Sequence, residues 1–138
     1  RARVAEAAAR SGVALRVHLV GHQASPAPYY RAMDVFLLSS DTEQMPVALL
    51  EAMAAGLPVV ATDVGDVRRM LPDAQAPFVV APSEPGCAEA LATALGRLAA
   101  LRAAARALGA GNRAWVAQRY SMDAMVDAYR TLYRAARG

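Results

Sequence analysis

The sequence is poor in residues that build disulfides and metal sites: its 138 residues include one cysteine, two histidines and no lysine. Cys87, the single cysteine, has no partner for an intramolecular disulfide, which is typical of proteins from a reducing compartment. With so few histidines and cysteines, we expect no metal site of the usual ligand type. Aromatic residues make up 6% of the chain and no nucleic-acid-binding motif is present, so we expect no nucleic-acid partner.

Long apolar runs are also missing. No uninterrupted hydrophobic stretch approaches the roughly 20 residues that a membrane-spanning helix needs. The first residues, RARVAEAAARSG, lack the apolar core and cleavage site of a secretory signal, so we expect a cytoplasmic protein. Because Arg1 already belongs to a stretch typical of a helix, we expect the chain to begin inside a larger protein. The hydrophobic content of 56% and the charged content of 20% are typical of one folded domain.

Charge is unevenly distributed along the chain. The formal net charge is +3, and the region from Arg97 onward holds eight arginines against Asp123 and Asp127. A basic C-terminal third suits peripheral contact with an anionic membrane, contact with an acidic partner domain, or a solvated helical surface. The composition leaves these three interpretations open, and the solvated surface is the default among them.

Short apolar segments that predict strands alternate with segments that predict helices. The predicted strands are ALRVHLVG, which ends at Gly21, VFLLSS, PVVAT and PFVVAP. The predicted helices are 1–10, the proline-led SPAPYYRAMD, PVALLEAMAAG, 66–71, about 84–108, one broken by GAGN, and 121–137. Apolar strands that alternate with helices predict an α/β fold, a Rossmann-like parallel sheet flanked by helices and buried on both faces.

The loop SSDTEQM, between the strand VFLLSS and the helix PVALLEAMAAG, is the predicted site, because parallel sheets bind ligands at the carboxyl ends of their strands. A helix N-terminus offers free N–H groups and partial positive charge, which favour a phosphate or a polar sugar. Glu43 at the strand end would point into the same crevice, although by itself a glutamate in a loop is more commonly a solvent-exposed residue. The expected backbone donors are Gln44, Met45, Val47 and Ala48, whereas Pro46 has no N–H to give.

Glu51 is the one charged residue within the helix that follows this loop. A carboxylate in an apolar setting is usually paired or hydrogen-bonded. Glu51 therefore has a structural partner, reaches water at the crevice, or binds a ligand such as a sugar diol with two hydroxyl donors. The residues leave a ligand-binding and a structural role open. About 7–8 Å of helix rise separates Glu51 from the loop, so Glu43 and Glu51 would contact opposite ends of one elongated ligand.

Other polar and aromatic pairs have ordinary structural interpretations. The serine pair 39–40 has no general base nearby in the sequence, so we expect no nucleophilic serine. The tyrosine pair 29–30 is interpreted as packing residues. The arginine pair 68–69 is interpreted as surface residues, with a phosphate contact left open.

These motifs also resemble a known family. The segment EQMPVALLE, from Glu43 to Glu51, matches the E-x7-E motif of the retaining GT-B glycosyltransferases called group 1 or family 4. The segments VHLVGH, YYRAMDVFLLSS, EAMAAGLPVVATDVGD and RYSMDAMVDAYRTLYR are similar to that family's C-terminal half. The resemblance implies the C-terminal half of a GT-B fold without its N-terminal domain. It places a partial donor-binding domain over 1–120 and a crossover helix that packs toward the N-terminal domain over 121–138.

By this resemblance the chain is the nucleotide-sugar-binding half of an enzyme that transfers a hexosyl unit from a nucleoside-diphosphate sugar to an acceptor with retention. The residue matching Glu43 hydrogen-bonds the donor sugar and acts in catalysis, and the residue matching Glu51 binds the ribose hydroxyls. Backbone amides matching Met45 to Val47 contact the sugar or phosphate, and the turn matching Gly21 and His22 lies near the base. The donor is a substrate, so the resemblance implies no cofactor and no metal in this domain.

The sequence departs from the family pattern in two ways. The glycine-rich version of the motif loop is replaced by Gln44-Met45-Pro46, a variant compatible with the family. The Arg/Lys pair that clamps the diphosphate and the acceptor-binding N-terminal domain both belong upstream of Arg1. We therefore expect this chain alone to bind donor weakly and to transfer no sugar. The apolar residues of its last helix are expected to be partly exposed: Met125, Val126, Leu132 and Tyr133.

Two other functions stay open from the sequence. One is a GT-B nucleotide-sugar epimerase, which needs acid/base residues for the sugar ring that do not stand out here. The other is a non-catalytic nucleotide-binding or interaction domain that has kept only the fold. Product analysis without an acceptor separates the epimerase from a transferase, and titration with UDP, GDP and ADP tests the non-catalytic alternative.

Overall fold

A computed structural model describes residues 2–82 and 85–137, and within them a three-stranded parallel sheet carries helices on both faces. The strands are β1 (Phe36–Leu38), β2 (Val59–Thr62) and β3 (Val79–Val80), in the order β1-β2-β3. Phe36 lies opposite Val59, and Ala61 lies opposite Val79. The predicted α/β fold with a parallel sheet is confirmed.

The helices connect these strands and continue beyond them. They are α1 (Ala2–Arg10), α2 (Ala27–Ala32), α3 (Val47–Ala54), α4 (Val67–Met70), α5 (Cys87–Ala100), α6 (Arg102–Arg119) and α7 (Met122–Ala135), with 3-10 turns at Ala14–Arg16 and Asp73–Phe78. The predicted starts at residue 1 and near residue 84 fall outside the described residues. Among the described residues, no helix is both long and apolar enough to cross a membrane.

The core lies on both sides of β2, whose four residues are all buried. Successive strand residues point to opposite faces, so Val59 and Ala61 join one cluster and Val60 joins the other. The first cluster packs β2 against α3, α4 and the C-terminal half of α6. The second packs it against α5 and the N-terminal half of α6. Since α6 contributes to both clusters, it links the two faces of the sheet.

The predicted strand ALRVHLVG is wrong. Residues 14–16 form a 3-10 turn, and residues 17–21 make no ladder with β1, which is an edge of the described sheet. An apolar stretch becomes a strand only where a neighbour accepts its hydrogen bonds. Without that neighbour, Leu15, Leu19 and Val20 are 96%, 43% and 52% exposed. For the same reason β1 is not buried on both faces as predicted, and Leu37 is 41% exposed.

The helix predicted over about 84–108 is two helices. They meet at Leu101, whose φ of −110° and ψ of 56° lie outside the helical region. Conversely, GAGN does not break the second helix, because α6 runs through it to Arg119. Two members of that segment are buried against the end of α3: Gly109 packs on Gly56, and Asn112 Nδ2 donates to the Leu57 carbonyl at 2.8 Å. Tertiary packing therefore overrides the low helix propensity of glycine and asparagine.

The last helix, α7, begins at Ser121, whose hydroxyl accepts from the N–H of Ala124 at 3.2 Å. None of its described residues is buried. The expected exposure is confirmed for Met125, Leu132 and Tyr133, and Val126 is half-buried.

Candidate functional site

The loops that follow β1 and β2 are joined at the carboxyl edge of the sheet. Thr62, the buried last residue of β2, donates through its hydroxyl to the Ser40 carbonyl at 2.7 Å. One turn later, the Asp66 N–H donates to the Gln44 carbonyl at 2.8 Å. These bonds hold residues 39–46, here called the motif loop, at the edge where sequence analysis predicted a site.

Glu43 is half-buried within the motif loop. Its Oε1 accepts a hydrogen bond from the Ser40 hydroxyl at 2.7 Å. An ionised carboxylate has lone pairs on two oxygens, and among the described residues Oε2 has no hydrogen-bond partner. Ser40 therefore orients Glu43 while leaving one carboxylate oxygen free to accept from a ligand.

The motif loop runs directly into α3, and no side chain caps that helix. Pro46 occupies the N-cap position and is buried, whereas Met45 and Val47 are 47% and 65% exposed. The first-turn amides of Val47 and Ala48 have no carbonyl one turn earlier to bond. The N-terminus of α3 thus offers uncapped N–H groups beside Glu43.

Glu51 lies on the outer face of α3, and the interpretation that it sits in an apolar interior is wrong. The helical repeat turns Leu49, Ala52 and Met53 into the core, while Glu51 is exposed. Its Oε2 accepts a hydrogen bond from the Tyr30 hydroxyl at 2.9 Å. Among the described residues it forms no ion pair. Of the roles left open by the sequence, Glu51 has both a neutral structural partner and access to water.

A groove of about 490 Å³ runs between α2 and α3 and includes Glu51. Its other lining residues are Pro26, Ala27, Tyr30, Arg31, Ala54, Ala55 and Arg113. The motif loop adjoins the N-terminal end of α3, whereas Ala54 and Ala55 place the groove toward its C-terminal end. Glu51 therefore lies in the groove wall, on the helix whose N-terminal end adjoins the motif loop.

Tyr30 lines the groove and contacts Glu51, whereas the sequence predicted only a packing role for it. Its ring does pack edge-on against Phe36, with ring centroids 6.0 Å apart. Burial, followed by the hydrogen bond to Glu51 and the charge of that carboxylate, raises the pKa of Tyr30 to about 12. The sequence contained one indication of this contact. The helices α2 and α3 precede and follow the same strand, β1, so a tyrosine late in α2 can reach α3.

The structure does not join Gly21 and His22 to the motif loop. Gly21 has a φ of 76°, in the left-handed region that favours glycine, and His22 is exposed. Both precede Pro26, which lines the groove. Their predicted contact with a base stays a prediction.

Two ion pairs lie next to the motif loop. Arg68 bonds Asp63 at 2.8 Å and Arg69 bonds Asp66 at 3.1 Å, and both arginines are exposed as expected. Among the described residues, no three His, Cys, Asp or Glu side chains are grouped to hold a metal ion. A separate cavity of about 330 Å³, lined in part by Asp34, Arg102 and Arg106, contains none of the predicted site residues.

Comparisons with known proteins extend these observations. The sequence model of the family described as Glycosyl transferases group 1 matches residues 1–101. A D-inositol 3-phosphate glycosyltransferase of Streptomyces griseus subsp. griseus is 36% identical over 131 residues, which are 94% of this chain and 27% of that protein. The lipopolysaccharide core biosynthesis mannosyltransferase LpsB of Rhizobium meliloti is 45% identical over 60 residues, 44% of this chain and 17% of that protein.

A solved structure shares the fold. Sucrose-phosphate synthase from Thermosynechococcus elongatus matches with a TM-score of 0.82 and 32% sequence identity, over 96% of this chain and 34% of that chain. The chain thus spans about a quarter of the length of the D-inositol 3-phosphate glycosyltransferase, although the match covers most of the chain itself. Because the family match covers most of the chain, this protein belongs to the group 1 glycosyltransferases and has the Rossmann-like C-terminal half of a GT-B fold.

Proposed function

We propose that this chain is the donor-binding domain of a longer glycosyltransferase that moves a hexosyl unit from a nucleoside-diphosphate sugar to an acceptor with retention. The observation that carries the proposal is the position of Glu51, which is exposed in the groove wall on the helix that begins at the motif loop. The names of the relatives, a mannosyltransferase and a D-inositol 3-phosphate glycosyltransferase, support glycosyl transfer as the reaction class.

A nucleoside-diphosphate sugar has the same order of parts as this surface. Its sugar would bind at Glu43, and its diphosphate at the uncapped N–H groups of α3, where the helix dipole favours negative charge. The ribose would reach Glu51, where a diol donates to a carboxylate. The base would enter the groove beyond, whose walls include apolar Pro26, Ala27 and Ala54.

The reaction then depends on orientation and charge stabilisation. Glu43, with one oxygen held by Ser40, orients the sugar through its second oxygen. The departing diphosphate is stabilised by N–H donors that are already in place, and the acceptor is positioned by the remainder of the enzyme. Glu43 supplies no covalent nucleophile in this scheme.

The acceptor-binding half is the proposed partner of α7. Five apolar side chains of this helix are exposed: Met122, Met125, Tyr129, Leu132 and Tyr133. An exposed apolar surface of this kind is typical of contacts with another domain. We therefore assign α7 to the contact with the N-terminal domain of the full-length enzyme.

The proposal predicts different losses for the two glutamates in the full-length protein. Glu51→Ala removes the acceptor for ribose and should weaken nucleotide binding by about 10–100-fold, the equivalent of about one charge-assisted hydrogen bond. Glu43→Ala should lower kcat by about 10–100-fold with a smaller change in nucleotide Kd, because it orients the sugar. Calorimetry and initial-rate kinetics measure the two effects.

Asp41→Ala is the matched control, since it removes an exposed acid from the same loop. It should leave Kd and kcat within about twofold of wild type, as expected for a surface substitution. Normal turnover by Glu43→Ala, or normal nucleotide affinity in Glu51→Ala, would contradict the role assigned to that residue.

A further inference from the structure

The hydroxyl of Tyr30 restrains the carboxylate of Glu51 from a different helix. It donates to Oε2 at 2.9 Å and so joins α2 to α3 across 21 residues of sequence. On its other side, the Tyr30 ring rests edge-on against Phe36 of β1. The phenol is therefore fixed by the strand and the neighbouring helix, and it holds one oxygen of an otherwise exposed side chain.

The hydrogen-bonding capacity of this pair is only partly used. Oε1 of Glu51 has no hydrogen-bond partner among the described residues, and a phenolic oxygen can accept while its proton is donated. A tyrosine phenol is protonated at physiological pH, so it is the donor to Glu51, and the rise in the pKa of Tyr30 to about 12 extends this state to more alkaline pH. Two residues that line the same groove thus each have an oxygen that can still accept a hydrogen bond: Oε1 of Glu51 and the phenolic oxygen of Tyr30.

We propose that Tyr30 is a positioning residue for ribose recognition, which holds Glu51 so that Oε1 accepts from one ribose hydroxyl and the phenolic oxygen accepts from the other. This inference rests on the function proposed above and adds the residue that makes the site selective for a vicinal diol. Without the phenol, the exposed Glu51 side chain would sample several rotamers, and binding a ribose would have to order it.

The test compares nucleotides that differ by one hydroxyl, in the full-length protein. Calorimetry with UDP, GDP and ADP identifies the tightest ligand, which is then compared with its 2′-deoxy and 3′-deoxy analogues. Wild type should favour the ribonucleotide by about tenfold or more, as expected when a charged hydrogen-bond acceptor loses its donor. Tyr30→Phe keeps the ring against Phe36 but should reduce this preference to about twofold to threefold.

Tyr29→Phe is the matched control, because it removes a hydroxyl from an exposed neighbour on the same helix that does not line the groove. It should keep the wild-type preference. A second measurement needs no ligand: in Glu51→Gln, the pKa of Tyr30 should fall from about 12, because the charge and the charged acceptor are removed while burial remains. A titration of the Tyr30 phenol by NMR reports it.

The outcomes separate this inference from the proposed function. A Tyr30→Phe protein that binds the ribonucleotide and both deoxy analogues with the wild-type preference overturns the positioning role and leaves the donor site intact. The positioning role is also overturned if affinity for all three ligands falls by one common factor, because that is a structural effect. A wild-type protein that binds no nucleotide overturns the proposed function, and this inference with it.

Discussion

Gly65 lies directly behind the motif loop and controls its backbone. Its φ of 53° is in the left-handed region, and a Cβ at this position would collide with the carbonyl groups of Glu43 and Gln44. The next residue, Asp66, donates its N–H to the Gln44 carbonyl at 2.8 Å. The turn after β2 therefore constrains the backbone of the motif loop at Glu43 and Gln44, although it contributes no side chain to the site.

This contact predicts that Gly65→Ala damages both stability and turnover. The left-handed conformation and the collision together should lower the free energy of unfolding by roughly 3 kcal/mol. Since the loop must move to relieve the collision, kcat of the full-length protein should fall as well. Chemical denaturation and initial-rate kinetics measure the two effects.

Gly12 provides the control for strain without collision. Its φ is 67°, and a Cβ there would meet nothing within 4 Å. Gly12→Ala should cost about 1 kcal/mol and leave turnover unchanged. Equal stability losses in the two variants would show that Gly65 does not support the motif loop.

At the site, the sequence predicted where the motif loop lies but not how its side chains are held. The E-x7-E spacing identified Glu43 and Glu51, and the loop indeed lies at the carboxyl edge of the sheet. The outward direction of Glu51 was missed because the apolar residues around it concealed the helical repeat. Tyr30 and Gly65 act through contacts that are distant in sequence, and no local pattern reports such contacts.

At the scale of elements, α6 approaches the end of α3 closely enough to require a glycine. A Cβ on Gly109 would collide with the Gly56 carbonyl, while Asn112 bonds the next carbonyl, that of Leu57. In contrast, Gly111 lies in the same helix with nothing within 4 Å of its Cβ position. Of these two glycines in one helix, Gly109 is required by close packing, whereas at Gly111 there is space for a side chain.

The pair predicts opposite signs for the same substitution. Gly109→Ala should lower the free energy of unfolding by about 2 kcal/mol, because the overpacking exceeds the gain in helix propensity. Gly111→Ala should raise it by up to about 1 kcal/mol, since an exposed helical glycine gains propensity without a clash. Urea denaturation of both variants measures the difference, and stabilisation by Gly109→Ala would contradict the close contact.

The elements that the sequence predicted well are those whose partners lie nearby in the chain. Strand β1, helix α3 and strand β2 follow one another along the chain. Their apolar runs and the helix stop at Gly56 were sufficient to predict all three elements. GAGN was misassigned because its state depends on a contact that is distant in sequence, and the segment 14–21 because an apolar pattern does not reveal whether a neighbouring strand pairs with it. Gly109 and Asn112 stay helical through contacts with α3, whereas residues 17–21 have no ladder with β1.

At the scale of the whole molecule, the two cavities have no lining residue in common. The groove at Glu51 adjoins the helix that starts from the carboxyl edge. The cavity at Arg102 and Arg106 includes Val35 and Pro58, which precede β1 and β2, and so lies at the amino edge. Because Arg102 and Arg106 line it, this cavity is the alternative binding place for an anionic ligand. Locating a bound nucleotide in one cavity or the other therefore tests the proposal.

The measurement that tests the central claim most directly is a crystal structure of the full-length protein with its tightest-binding nucleoside diphosphate. We predict a ribose hydroxyl within hydrogen-bond distance of the Glu51 carboxylate, with the diphosphate at the N-terminus of α3. A nucleotide bound at Arg102 and Arg106, or one whose ribose is out of reach of Glu51, would contradict the proposed donor site.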